Sequence, residues 1–403
     1  METTYQVNLM PIEPILFADN RSARAGEDHL IRDHDPSPHT IYSAIGAYIV
    51  DLFGAEIDQN RWDAVRSYLG DFVTDIANGE ASRSELMGYF YSDGHDRRWF
   101  PRPLHIRLSR PYQNVHVGKP VKIVLQKQDA LESSLKDFVK YLKCEEDLDE
   151  TESDDYISEK FLQDILCGVD VSGKKLQPDT DRLPLAQIYQ PETRLGLGMD
   201  NDVNRPYRGL LFSRPYRRFH TKIDANSGEW RPVALTAFFK TMHAIDSSLL
   251  AEKRVAFLGG DRGRVLIELQ PQASQPLQAL CTSVQQAAAQ SNGFFCYLLT
   301  PAVRETAWPP SISGLKPIAA AIGKEKVISG WNSEAQNQHP RPILKLIPAG
   351  STFFYPWPNA DEKARRDLIE EYWLQPATKD TTTQHYCNSG FGRMLIGVWK
   401  NEN

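Results

Sequence analysis

Residues 36–54, PSPHTIYSAIGAYIVDLFG, combine a proline-bracketed start with an apolar face at helical spacing. Pro36 and Pro38 precede a helix that Ser37, His39 or Thr40 could cap. Ile41, Ala44, Ile45, Tyr48, Ile49 and Leu52 recur at the period that buries one side of an α-helix. Upstream, Tyr5 to Phe17 mixes β-branched and apolar residues with Pro11 and Pro14, which reads as a strand with a proline-bent exit. The polar stretch 18–36 between them reads as a loop. A strand, a loop and then a buried helix is the opening of an α+β domain.

Downstream, residues 60–99 read as short helical pieces broken at Gly70, Asn78-Gly79 and Gly94. Residues 103–109 and 120–127 read as strands, and Leu131–Lys143 as a helix. The stretch 204–223, NRPYRGLLFSRPYRRFHTKI, is strand-rich and basic. Arg254–Leu269 places GGDRGR between two apolar runs. Residues 276–290 form a helix, FFCYLLT (294–300) a buried strand, 350–355 a strand and 361–372 a helix. NSGFGRMLIGVW closes the chain as a glycine-rich loop running into a strand. This alternation predicts two ferredoxin-like (RRM-like) βαββαβ units. The first covers 1–260, with a largely helical insertion (about 54–100 and 129–190), and the second covers 261–403.

The 403 residues exceed one ordinary core, which supports two domains. Hydrophobic content of 41% and charged content of 24% are globular. The 17 Phe, 16 Tyr and 8 Trp can fill cores and still leave rings for stacking. No window is long and apolar enough to span a bilayer, and METTYQVNLMPIEP lacks the pattern of a signal peptide. Five widely spaced cysteines (144, 167, 281, 296, 387) form no C-x-x-C pair. Neither a disulfide framework nor a zinc ribbon follows, and a cytoplasmic location is expected. Net charge is −6, but residues 145–159 hold nine acids and no base; without them the other 388 residues carry +3. That run predicts a flexible excursion, and overall charge does not oppose a local basic surface.

Four features bear on chemistry. At 390–393, glycines would let backbone N–H groups approach a phosphate, with Arg393 as a bidentate donor beside Gly390 and Gly392; the bland alternative is a hairpin turn. The start of the 36–54 helix offers free N–H groups with Ser37, His39 and Thr40 beside them, against plain capping. The stretch Arg205–Lys222, with Arg214 and Arg218, alternates cations and rings as single-strand binders do, or forms a solvated strand face. GGDRGR invites a cyclase or polymerase reading, but Arg262 stands where a second metal-binding carboxylate would be needed. Arg262 and Arg264 are therefore expected to meet RNA or a partner. His34-Asp35 lacks further ligands at recognisable spacing, so no metal and no cofactor are expected. A metal-independent ribonuclease using His29 or His39 as general acid or base is the enzymatic alternative.

MPIEPILFADNR, PSPHT, RLGLGMDNDV (194–203), LGGDRGRV (258–265), ISGWN (328–332) with PRPILKLIPAGSTFFY, and GFGRMLIGVW lie along the chain in one order. Together they resemble the RAMP-superfamily subunit that caps the crRNA 5′ end in type III-B (Cmr) CRISPR effector complexes. Residues 54–190 carry no matching motif. The resemblance implies two ferredoxin-like domains and no catalysis. It also implies binding of the crRNA 5′ tag and contacts with the large polymerase-like Cmr subunit and a Cmr backbone subunit. One departure stands out: where the family has a turn of the Asp-Gly-Arg-Pro-Phe type, this chain has Asp19-Asn20-Arg21-Ser22-Ala23. Asn20 can adopt the left-handed conformation a glycine would supply, and Asn20 and Arg21 are candidate RNA contacts there.

Overall fold

A computed structural model describes residues 2–17, 35–54, 84–93, 97–109, 116–117, 122–124, 141–143, 155–177, 180–200, 205–222, 230–250, 253–304, 310–328, 331–332, 339–340, 343–359, 361–377 and 384–400. Strand β1 (Thr3–Pro11) buries Tyr5, Val7 and Leu9 on one face, the period-2 pattern of a sheet covered from one side. Helix α1 (Pro38–Leu52) follows with Pro38 at its first turn and Ser37 as N-cap. Ile41, Ile45, Ile49 and Leu52 face inward as their spacing predicts, each gaining roughly 1.5–3 kcal/mol from burial.

Strands β2 (Glu85–Ser92), β3 (Arg98–Pro101), β4 (Asp155–Ser158) and β5 (Arg182–Pro184) come next, with α2 (Glu159–Leu166) after β4. Then follow a long two-stranded ribbon, β6 (Gln190–Asp200) and β7 (Arg205–Arg218), strand β8 (Ala234–Thr241), the short α3 (Ser247–Leu250), and the hairpin β9 (Arg254–Leu258) and β10 (Gly263–Pro271). Eight of these strands form one sheet, in the order β9-β10-β1-β8-β2-β3-β4-β5.

The rest of the chain runs α4 (Gln278–Ala287), β11 (Gly293–Leu298), β12 (Ala302–Val303), β13 (Ala319–Ala321), β14 (Lys326–Ile328), β15 (Leu344–Ile347), β16 (Thr352–Pro356), α5 (Glu362–Tyr372), α6 (Gln384–Asn388) and β17 (Met394–Trp399). They make a four-stranded sheet, β13-β16-β11-β17, and a three-stranded one, β12-β15-β14.

Among the described residues every strand pairing is antiparallel, and helices are few. The central run β10-β1-β8-β2, with α1 between β1 and β2, suits a split βαβ unit. Among the described residues, however, the helix in its second crossover is the four-residue α3. In the second sheet the order β17-β11-β16-β13 repeats that run, yet α4 precedes β11 instead of following it. Neither sheet has the full βαββαβ complement among the described residues.

Four expectations need correction. ELMGYFYS (85–92), expected within a helical stretch, is strand β2, because an extended segment can send Leu86 and Tyr91 to the α1 side of the sheet and Phe90 to the opposite side. Within the expected largely helical insertion, the described residues hold mostly strands; residues 55–83 and 131–140 lie outside the described residues. Residues 155–158 of the expected flexible acidic run form β4, where Asp155 meets Arg182 at 2.9 Å and loses its repulsive cost. The expected boundary at 260/261 falls inside the β9–β10 hairpin, and β10 pairs with β1 from Tyr5 to Pro11, so the large sheet extends to Pro271.

Beside a small apolar cluster at the three-stranded sheet (Val303, Leu346, Phe391), two large ones hold the fold. One lies between α1 and the inner face of the large sheet, including Tyr5, Ile45, Leu235 and Ile267. The other joins the opposite face of the same sheet (Phe90, Phe100, Phe238) to α2, α4, α5 and the four-stranded sheet.

Candidate nucleic-acid interface

The proline-bent exit of β1 organises the site. Ile15 donates its N–H to the Arg217 carbonyl at 2.9 Å and accepts from the Arg217 N–H at 2.8 Å. On its other side Gly260 donates to the Leu16 carbonyl at 2.8 Å. The exit is thus gripped between the base of the β6–β7 ribbon and the GGDRGR turn joining β9 to β10. Asp261 (φ 54°) and Arg262 (φ 52°) both adopt left-handed backbone there. Gly259 is required at φ 73°, since a Cβ would lie 2.5 Å from the Leu16 carbonyl oxygen.

Side chains from the ribbon and the turn meet over this junction. Asp261 accepts hydrogen bonds from Arg214 and Tyr216. Partial burial raises its pKa, but those two donors outweigh it and hold the carboxyl below its ordinary value. The Arg194 guanidinium lies 4.5 Å from the Tyr216 ring centroid. Glu192 receives Arg218 at 3.0 Å and Arg194 at 2.9 Å. Arg264 reaches Glu13 at 2.9 Å, and Arg262 lies 5.8 Å from the ring of Phe257.

The helix start is adjacent. Ser37 Oγ accepts from the Thr40 N–H at 3.2 Å and shares a 2.9 Å hydrogen bond with Thr40 Oγ1. His39 is half-buried in the first turn. Immediately before the cap, Asp35 meets Arg217 at 3.1 Å and Lys326 of β14 at 2.8 Å. Burial raises the Asp35 pKa, but Lys326 and Arg217 prevail and hold it far below the carboxylate range. Around Glu13, Asp35, Glu192 and Asp261 stand the buried Arg217 and six further cations, Arg194, Arg214, Arg218, Arg262, Arg264 and Lys326, leaving a cationic excess beside the rings of Tyr216 and Phe257. Such a surface can neutralise phosphates and stack bases.

The structure therefore gathers Ser37, His39, Thr40, Arg214, Arg218, Arg262 and Arg264 around one junction. Asn20, Arg21 and His29 lie outside the described residues. The loop 390–393 stands apart. Gly390 (φ 95°) and Gly392 (φ 71°) do form a turn. Yet the N–H groups of 390, 391, 392 and 393 are taken by Cys387 O, Tyr386 O, Pro301 O and Thr300 Oγ1, at 2.9–3.0 Å. Arg393 is wholly buried, bonded to Glu85 at 2.7 Å, Leu374 O at 3.1 Å and Cys387 O at 2.6 Å. The phosphate role expected for this loop is corrected, because its backbone donors are spent inside the protein and the Arg393 side chain is buried. Sequence reasoning missed Glu192, Arg194 and Lys326 and weighed Asp35 only as a metal ligand; the pairs of Asp35 with Arg217 and Lys326, and of Glu192 with Arg218, span long separations that no local pattern marks.

The family model described as CRISPR-associated protein (Cas_Cmr3) matches residues 7–399. The chain belongs to that family. As a Cas_Cmr3 member it is a subunit of a type III CRISPR-Cas effector complex. Similar solved structures include two of the Type III-B Cmr-beta bound to cognate target RNA. One has 16% identity, covers 87% of this chain and 86% of that chain, and gives a TM-score of 0.43. The other, with AMPPnP (state 1), has 15% identity, 91% and 88% coverage and a TM-score of 0.44. The Csm3-Csm4 subcomplex of the type III-A CRISPR-Cas interference complex has 13% identity, 88% and 100% coverage and a TM-score of 0.30. No curated protein matches the chain. Among the described residues, no helix is long and apolar enough to cross a membrane.

Proposed function

We propose that this Cas_Cmr3 subunit holds the 5′ tag of crRNA and bridges the large polymerase-like subunit to the Cmr backbone, without a catalytic step of its own. The supporting observation is the convergence of the basic ribbon, the GGDRGR turn and the start of α1 at the β1 exit. Exposed Arg218, Arg262 and Arg264 supply phosphate contacts, and Tyr216 and Phe257 supply rings for bases. The two sheets then act as two RRM-like units, divergent in their helices, on either side of the guide RNA. The solved Cmr-beta structures contain target RNA, which suits a role beside RNA, and the subunit would work in the cytoplasm with its complex.

Affinity for a tag-bearing RNA should fall steeply with salt as counterions are released. The test is titration of a labelled 5′-tag RNA into the full chain at several salt concentrations, together with purification of the native complex and sequencing of its RNA. Salt-insensitive binding, or a native complex whose RNAs share no 5′ end, would remove this reading. Incubation of repeat RNA in EDTA addresses the ribonuclease alternative: uncleaved RNA is expected, whereas cleavage lost in H39A or H29A would make the chain an enzyme.

A further inference from the structure

Arg217 is unlike its arginine neighbours on β7. Its side chain is 3% exposed, so it presents no surface to a ligand. Its guanidinium lies 4.2 Å from the ring of Tyr189 and 5.9 Å from that of Phe17. Below it, Phe17, Tyr91 and Tyr189 all contact Phe219 ring to ring. Its backbone pairs with Ile15, and its side chain binds Asp35. The chain before residue 18 and the chain after residue 34 therefore end on the same arginine. Asp35 carries a second tie, through Lys326, to the three-stranded sheet.

We infer that Asp35 is a positioning residue for RNA binding: its carboxylate locks the start of α1 and the base of the basic ribbon to one another and to β14, so that their cationic groups face a single strand of RNA together. This rests on the tag-holding reading above. Two ties from one carboxylate fix its direction as well as its distance, and a pair shielded by Tyr189 and Phe17 is little screened by salt. The consequence opposes simple electrostatics. Replacing Asp35 by Asn raises the net charge from −6 to −5 and by charge alone would strengthen RNA binding. A positioning role requires binding to weaken.

The experiment compares wild type, D35N, D35E, K326Q and R214Q as full chains, with a labelled 5′-tag RNA across a salt series. D35N is expected to bind about tenfold more weakly with the wild-type salt dependence, because the number of neutralised phosphates is unchanged. D35E, which retains the carboxylate, should recover part of the loss. R214Q should weaken binding and flatten the salt dependence together. K326Q removes one tie at a residue 37% exposed and should cost about threefold with the fold intact. Amide exchange at Ile15 and Arg217 should accelerate in D35N, a readout independent of RNA. Binding by D35N as tight as wild type, or slow exchange retained at both amides, would overturn the clamp. Wild-type protein that binds no tag RNA would instead overturn the tag-holding reading, leaving exchange to judge the clamp.

Discussion

Two turns in this chain look alike as text. LGGDRGR at 258–264 and SGFGR at 389–393 each place an arginine among glycines beside an apolar strand. Their arginines have opposite fates. Arg264 is 57% exposed and reaches Glu13 on the surface. Arg393 is fully buried, and its partner Glu85 belongs to β2 of the other sheet. Glycines announce that the backbone turns; they do not say which side of a sheet the next side chain falls on. The first turn lies at the rim of the large sheet, where Arg262 and Arg264 meet solvent. The second lies in the seam between sheets, where the Arg393 Nη donors turn to Glu85 and to backbone carbonyls.

The sharpest way to break that contrast is R393M. It leaves Glu85, only a quarter exposed, with Lys240 at 3.7 Å as its remaining ion-pair partner among the described residues, and should cost about 3 kcal/mol in denaturant unfolding. R264Q, by contrast, should change stability by less than about 0.5 kcal/mol. If R393M instead kept its stability and lost RNA affinity with a flattened salt dependence, the C-terminal loop would be a phosphate seat after all.

The seam should also respond to acid where the rim responds to salt. His105 lies between Phe295 and Phe354. Burial, helped by the nearby Arg102 charge, pushes its pKa down to about 3. Unfolded chains take up this proton near pH 6.5 and the folded chain does not, so the contribution is full above 6.5. It is lost as pH falls towards 3, by up to about 1.4 kcal/mol per unit. Unfolding measured from pH 7 to 5 should show this slope in wild type and lose it in H105Q.

Next in size are the glycines themselves. G259A must move the Leu16 carbonyl as well as strain φ, and should cost about 2–3 kcal/mol while loosening the β1 exit. Gly173 has a similar φ of 70°, and a methyl added there would meet nothing within 4 Å, so G173A should cost only about 1 kcal/mol. Thermal unfolding of the pair separates close approach from strain. The smallest effect is at the rim: R262Q should weaken tag-RNA binding severalfold and lower the salt slope by about 0.7, the value for one single-strand phosphate contact.

By itself the sequence determined the local elements whose signals are local. The 3.6-residue spacing from Ile41 to Leu52 required α1, and Ser37 before Pro38 set its start. The apolar runs around GGDRGR required a hairpin, and FFCYLL a buried strand. The ordered motifs reached the family before any contact was known, because a family is a pattern along the chain. Tertiary structure decided what depends on distant partners. ELMGYFYS became a strand because its side chains serve two clusters on opposite faces of one sheet, against its helical appearance. Arg217 and Arg393 became internal ties, while Arg218 and Arg264 stayed on the surface, although all four are arginines in or beside strands. A guanidinium's role follows from the carboxylate or carbonyl that the fold brings to it; Asp35 lies 182 residues from Arg217 and 291 from Lys326, and no window along the chain contains them together.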